Sequence, residues 1–529
     1  LKISSDGGNS FTTSTGFHPD LHALWINPAD SGHLLLGTDG GLYVSRDRGR
    51  TWRMQRNLPL SQFYHVSVDR ANPYNVYGGL QDNGSWYGPS VSPGGIENKD
   101  WENIGGGDGF RVYKDPGKND IIYCEWQGGN IQRVHTESNE SKDIKPAPRA
   151  GEPQYRFNWN TPIYLSPTKP ERLYIGAQFL LRSTDKGESW TRLSDDLTTN
   201  DPDKLQQEKS GGLTIDNSKA ENHCTIYSIA ESPLDHTVIW VGTDDGNLHV
   251  STDDGDTWQH VIEHVPDVPP HTWVSSIEPS HFDRQTAFVT FDGHRTGDKN
   301  IYVYKTTDMG NTWQSIADTT VAGYAGVLRQ DNVNGELLFL GTESGLFITL
   351  DGGEQWARFT GNLPPVSVME IAIHPDTPDV ILATHGRGIY IIDDITPLRQ
   401  LTGDILQQQV AFLDSEPATI RLNASRQSWS GGGEFVGSNP SEVAAITYYM
   451  QKRHIFGGMK IEIYNDKGEL LKELPGSKRR GINRVTWEMR EKPPRVAESG
   501  VLAGGALFGP VVPEGRYDVK LVKSGDEYS

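Results

Sequence analysis

The sequence predicts an all-β protein, a β-propeller built from four-stranded blades and followed by a small β-sandwich. Three observations predict it. An octapeptide of the form Ser/Thr-x-Asp-x-Gly-x-Ser/Thr/Gln-Trp/Phe occurs six times. Each copy closes a stretch that alternates apolar and polar residues, the period of a half-buried strand. The composition, 58 Gly, 31 Pro, 14 Trp and 20 Tyr in 529 residues, is that of many short strands, many turns and aromatic wedges.

The copies lie at 4–11 (SSDGGNSF), 45–52 (SRDRGRTW), 183–190 (STDKGESW), 251–258 (STDDGDTW), 306–313 (TTDMGNTW) and 349–356 (TLDGGEQW). Asp before Gly bonds backbone groups of its own turn, Gly supplies a positive φ, and the Ser or Thr hydroxyl ties the far side. The Trp buries a flat face against the neighbouring unit. Asp6, Asp47, Asp185, Asp253, Asp308 and Asp351 are therefore read as structural.

Along the chain, the first box at 4–11 stands alone as a stub, so the chain reads as cut from something longer. The clearest whole unit is 22–52, and matching units begin near Phe157, Cys224, Trp273 and Gly323. Units at 65–90, 110–144 and 366–398 keep the strands and lack the box. That gives about eight units of blade size over 1–400, the C-terminal part of a larger or tandem propeller. Residues 401–440 are polar and Gly/Ser-rich and read as a linker or strap. From 441 to 529, the runs AAITYYM, MKIEIYN, LLKEL, RVTWEM and RYDVKLV suggest an incomplete β-sandwich.

Charge narrows the partners. A net charge of −20 without a basic stripe argues against nucleic acid. No apolar run is long enough for a transmembrane helix. The two cysteines, Cys124 and Cys224, have neither metal-ligand nor redox spacing, and no phosphate loop, metalloprotease or nucleophile-elbow motif occurs. No cofactor and no metal are expected.

In a four-stranded blade, the turn between the second and third strands shares a face with the loop that leads to the next blade. The octapeptide turn lies opposite. The second turns carry Asp39, Gln81 with Asp82, Trp126, Asp245, Asp292 with His294 and Arg295, Glu343, and His385 with Arg387. The entry loops add Asp108, Asn160, His223 and Trp273. Carboxylates, imidazoles, guanidinium groups and indoles gathered on one face suit a glycan or a polar peptide. Asp39, Asp245 and Glu343 also fit the needs of a hairpin turn alone. The glycines around Asp82 (LQDNGSW) and Asp108 (GGGDGF) allow close approach by a ligand. For glycoside hydrolysis, two carboxyl groups must face each other, and Asp82 and Asp108, on adjacent blades, are the candidate pair with Asp39 as a third.

Boxes and units together resemble the Asp-box (BNR) repeat proteins, a group that includes sialidases, xyloglucan-active glycoside hydrolases and sortilin-type receptors. The phrases GTDGGLYVSRDRGRTW, YGGLQDNGSW, GGGDGF, RFNWNTP, VTFDGHR and ATHGRGIYIIDDITPL are similar to large exported bacterial proteins labelled sortilin-like or glycosyl-hydrolase-like. The tail is similar to the Ig-like module of the FlgD type. The resemblance implies an exported, glycan-binding propeller, and hydrolysis, peptide binding and a purely structural scaffold stay open beside it.

Overall fold

The computed structural model describes residues 1–210, 217–420, 431–494 and 508–529. The chain forms two compact units. Among the described residues the first comprises 1–376, 380–391 and 431–439, and the second takes the rest.

In the first unit, strand after strand pairs antiparallel with its neighbour in sequence. Among the described residues, seven successive sheets are the blades of a propeller. They lie at 63–105, 109–143, 163–192, 226–260, 273–315, 325–358 and 368–392, and the last has three strands. Each blade buries its apolar face against the next, since a single small sheet cannot cover both of its own faces. Trp240 and Val250 of the fourth blade pack with Phe291, Tyr304 and Trp313 of the fifth. Phe288 and Val303 of the fifth pack with Leu338, Phe347 and Trp356 of the sixth.

The ring closes between the seventh blade and the first. Phe63, Val66 and Val76 share a buried cluster with Ile381 and Ala383. The ring of Tyr74 lies 4.5 Å from that of His374. The His65 imidazole meets Glu370 at 2.9 Å.

A further four-stranded sheet, 21–54, stands outside this ring. Its first strand, Leu21–Ile26, is exposed along its whole length, unlike the first strands of the blades. The eight repeated units are thus seven blades in a ring and one sheet beside it.

Each octapeptide folds by one local rule. At 183–190, Ser183 Oγ donates to Asp185 Oδ1 at 2.8 Å, and Gly187 N donates to Ser183 Oγ. Ser189 donates through both N and Oγ to the same carboxylate. Lys186 has φ 62° and Gly187 has φ 84°, so two successive residues are left-handed and only one of them is glycine. In three copies the Trp reaches back to the preceding blade: Trp190 Nε1 donates to Ile144 O, Trp258 Nε1 to Leu193 O and Trp356 Nε1 to Ile316 O, whereas Trp313 Nε1 donates to Gly310 O of its own turn. The box is a turn plus a tether. Asp308→Ala is accordingly expected to lower the unfolding temperature by a few degrees while leaving ligand affinity unchanged. Parallel thermal and binding measurements check this, and a loss of affinity at full stability would place the box in the site.

The second unit is a sandwich of two antiparallel sheets. One has strands Val410–Leu413, Ala444–Met450 and Gly481–Trp487. The other has Met459–Tyr464, Leu470–Pro475, Asp518–Lys523 and Asp526–Tyr528. Val410, Ile446 and Tyr448 meet Met459, Ile461 and Leu521 in one core. The stretch read as a linker therefore supplies a strand, because its VAFL run is apolar enough to be buried. Farther along, Gly437 pairs with Ile96 of the first unit through both backbone groups, at 2.8 and 2.9 Å, which makes that stretch a strap. Cys124 and Cys224 are both buried and free. Among the described residues, no helix is long and apolar enough to cross a membrane.

Candidate functional site

The first strands of the blades surround the propeller axis, and at one end they enclose a cavity of about 310 Å³. Six of the seven carry a β-bulge near their start, between Phe63 and His65, Gly109 and Val112, Ile226 and Ser228, Val274 and Ser276, Ala325 and Val327, and Val368 and Glu370. An extra residue bends a strand and re-aims side chains. The residues inserted there, Tyr64, Tyr227, Ser275, Gly326 and Met369, all line the cavity, as do Phe110 and Arg111. In the third blade, the loop Asn158–Trp159–Asn160 takes that place, held by Asn160 N donating to Asn158 Oδ1 at 3.0 Å.

A buried charged cluster joins four blades around the cavity. Glu370 accepts from Arg329 Nη2 at 2.6 Å and from His65 Nδ1 at 2.9 Å, with Arg111 Nη1 at 3.8 Å. His65 Nε2 lies 3.0 Å from the Asn160 side-chain amide, which ties in a neighbour on a fifth element. Burial alone would raise the Glu370 carboxyl, but Arg329, His65 and Arg111 together hold it at about 2. Burial, then Arg111, keeps the His65 imidazole below its ordinary value.

The rim bears the fifth blade's second turn. Asp292 accepts from His294 N and Nδ1, at 2.9 and 2.7 Å. The His294 ring stacks on Tyr324 at 4.3 Å. The Arg295 guanidinium lies 4.5 Å from the Trp273 ring centroid. His385 reaches the rim from the seventh blade, where its segment pairs with Gln62.

Asp82 and Asp108 meet at the junction of the first two blades. Asp82 N donates to Asp108 Oδ1 at 2.8 Å, and one amide nitrogen, Gln81 Nε2, reaches Asp82 Oδ2 at 2.9 Å and Asp108 Oδ1 at 3.4 Å. The oxygens that it bridges are no farther apart than those two bonds laid end to end. Burial first, and then the Asp82 carboxylate, push Asp108 up to about 6. Neither carboxylate lines the cavity, and Asp108 is buried; the Tyr64 hydroxyl, at the cavity wall, donates to Gln81 Oε1, which stands between the pair and the cavity. Backbone is what comes close here: Gly84 N donates to Gly107 O at 2.9 Å, and a Cβ on Gly109 would stand 2.3 Å from Gly84 O. Of the glycines expected to admit a ligand, Gly84 and Gly109 admit the neighbouring blade instead.

The other residues singled out in the sequence divide. Asn160, Trp273, Asp292, His294, Arg295 and His385 line the cavity. Asp245 does not: it is buried and accepts from Thr199 N and Oγ1 and from Thr243 Oγ1, so its carboxylate clamps a loop to a hairpin. His223 pairs with Asp244 at 3.2 Å, with its ring 6.4 Å from that of Trp273. Glu343 and Arg387 are exposed at turn tips outside the cavity wall. Trp126 packs beside Gly107 in the Asp108 loop. Asp39 belongs to the sheet outside the ring, where it pairs with His22 at 2.6 Å while its carbonyl accepts from Asn83 Nδ2. Among the described residues, no group of three or more His, Cys, Asp or Glu is placed to hold a metal. Tyr64, His65, Arg111, Arg329 and Glu370 escaped the sequence reading, which searched turns. Their signal was a polar residue interrupting an otherwise apolar first strand.

Fold and site together define a β-propeller with a polar, aromatic-braced cavity on its axis. No family model matches the chain. Over 262 residues, 44% of the chain, it is 27% identical to the xyloglucanase Xgh74A of Acetivibrio thermocellus, and the match spans 29% of that protein's length. Among solved structures, it is similar to a xyloglucanase from Xanthomonas campestris, with 16% identity, 70% of this chain and 64% of that one covered, and a TM-score of 0.26. YCF48 from Cyanidioschyzon merolae shows 11% identity over 70% of this chain and 94% of that one, with a TM-score of 0.38.

Proposed function

We propose that the axial cavity binds an oligosaccharide or a segment of polysaccharide, and that the protein acts outside the cell, where such polymers are met. The observation that carries this reading is the cavity wall itself. Every blade of the ring contributes to it, and hydroxyl, amide, imidazole and guanidinium groups alternate there with indole and phenol rings. Similarity over 44% of the chain to a protein named as a xyloglucanase supports it.

One observation favours cleavage as a second reading. Asp108, raised to about 6, has a carboxyl partner within the span of one amide. That spacing suits the roughly 5–5.5 Å of a retaining pair better than the roughly 6.5–9.5 Å of an inverting one. A general acid works best with its pKa near the working pH.

The purified chain should be screened for binding on glycan and peptide arrays, and for release of reducing ends from polysaccharides. Glycan binding is expected, and Trp273→Ala should weaken it about tenfold or more, because the indole both lines the cavity and braces Arg295. Any release should fall by about 10²-fold or more in Asp82→Asn/Asp108→Asn. Release that survives the double substitution would remove that pair from the chemistry. Tight peptide binding without glycan binding would overturn the main reading in favour of a receptor.

A further inference from the structure

The chain carries a net charge of −20, yet its axial cavity is not acidic. Its wall has three guanidinium groups, Arg111, Arg295 and Arg329, against two carboxylates, Asp292 and Glu370, before any histidine is counted. Both carboxylates have close partners. Glu370 is 2.6 Å from Arg329, and Asp292 is 2.7 Å from His294. Arg295 is left without a carboxylate partner in the wall, and Arg111 shares Glu370 with Arg329 and His65.

Neither cation has its donors saturated. Arg295 is exposed and lies over the face of Trp273, and among the described residues the in-plane N–H groups of its guanidinium fork have no hydrogen-bond partner. Arg111 lies 3.8 Å from a Glu370 oxygen that already bonds His65, and its buried Nε has no partner among the described residues. Both line the one axial cavity. A planar cation braced on an indole is a preorganised receiver for a carboxylate, which guanidinium groups grip through paired N–H bonds.

Resting on the glycan reading above, we propose that the ligand is an acidic oligosaccharide whose sugars carry carboxylates, and that Arg295 and Arg111 receive one of those carboxylates. The same wall also presents neutral polar side chains, such as Asn160, Ser275 and Tyr324. Such a site holds its ligand more weakly as salt rises, since Arg295 is open to solvent.

The test is calorimetric titration of the full chain with galacturonate, mannuronate and glucuronate oligosaccharides, each beside its own carboxyl-reduced form. A neutral xyloglucan oligosaccharide and a short peptide with a free C-terminal carboxylate complete the panel. At least one uronate is expected to bind about tenfold or more tighter than its reduced partner, as charge-assisted hydrogen bonds allow. Arg295→Gln should abolish that preference, and Arg295→Lys should restore part of it. Because Arg295 is exposed, the variant folds on the same core, and Arg111→Gln offers a second, independent loss of the preference. Equal binding of acidic and reduced forms, or a preference that survives Arg295→Gln, would overturn the acidic ligand and leave the glycan reading standing. Binding of the peptide alone would overturn both.

Discussion

Glu370→Ala is expected to destabilise the propeller by about 3–5 kcal/mol, a large share of the net stability of a typical domain. The carboxylate is the common counter-ion of Arg329, His65 and Arg111, which come from the sixth, first and second blades, and it sits on the seventh. Its removal takes from two half-buried guanidinium groups the carboxylate that they share. The loss also falls where the ring closes. Urea unfolding followed by Trp fluorescence measures it, and a change below about 1 kcal/mol, the level of a typical exposed ion pair, would show that the cluster adds nothing. Glu370→Leu combined with Arg329→Met should recover part of the loss, because the penalty lies in an unpaired charge rather than in a missing attraction.

The same cluster sets a pH dependence of definite sign. The Glu370 carboxyl lies at about 2 in the folded chain against an ordinary 4.5. Its stabilising contribution is complete above pH 4.5 and is lost as pH falls from there toward 2. His65, held below its ordinary 6.5, acts in the same direction, since a buried neutral imidazole must charge as pH falls. Asp108 acts the other way. It is raised from 3.8 to about 6, so its contribution is complete below 3.8 and is lost as pH rises through 6. Glu370→Ala should flatten the acid limb of a stability profile, and Asp108→Asn the slope between about 4 and 6.

What could be read in the sequence follows from the distance over which each feature is decided. The octapeptide turn is settled within eight residues, so its hydroxyl, carboxylate and glycine roles were all legible. The charged cluster was not legible, because His65 and Glu370 are 305 residues apart and only ring closure joins them. Blade number hid for the same reason. Eight units repeat in the sequence, but which first strand meets Val368–Ile373 decides the ring, and Phe63–Val68 does so rather than Leu21–Ile26. Asp245 shows the limit of placing residues by turn position. A second turn puts a side chain on the right face, but a long loop, here bearing Thr199, can cover it.

Gly109→Ala is expected to lower stability by about 3 kcal/mol, at the upper end of ordinary overpacking, and to disturb the Asp82–Asp108 pair with it. A Cβ there would lie 2.3 Å from Gly84 O, 2.5 Å from Gly84 C and 2.6 Å from Ser85 Oγ. Two of those three atoms are backbone, inside a sheet already braced on both sides, so no side chain can swing aside to make room. Gly79 is matched to the same seam, since a Cβ on it would meet Gly109 C at 2.2 Å. The first two blades therefore touch backbone to backbone, and that contact brings Asp82 N within 2.8 Å of Asp108 Oδ1. Forcing the seam apart should lengthen this bond, which favours the ionised Asp108 carboxylate, and weaken any chemistry that depends on the pair. Gly106→Ala is the control. Three residues away in the same glycine run, its Cβ would meet nothing within 4 Å, and stability should change by less than about 0.5 kcal/mol. If the two variants unfold at the same urea concentration, the glycines do not serve the blade seam, and the ligand role first read from them regains its place.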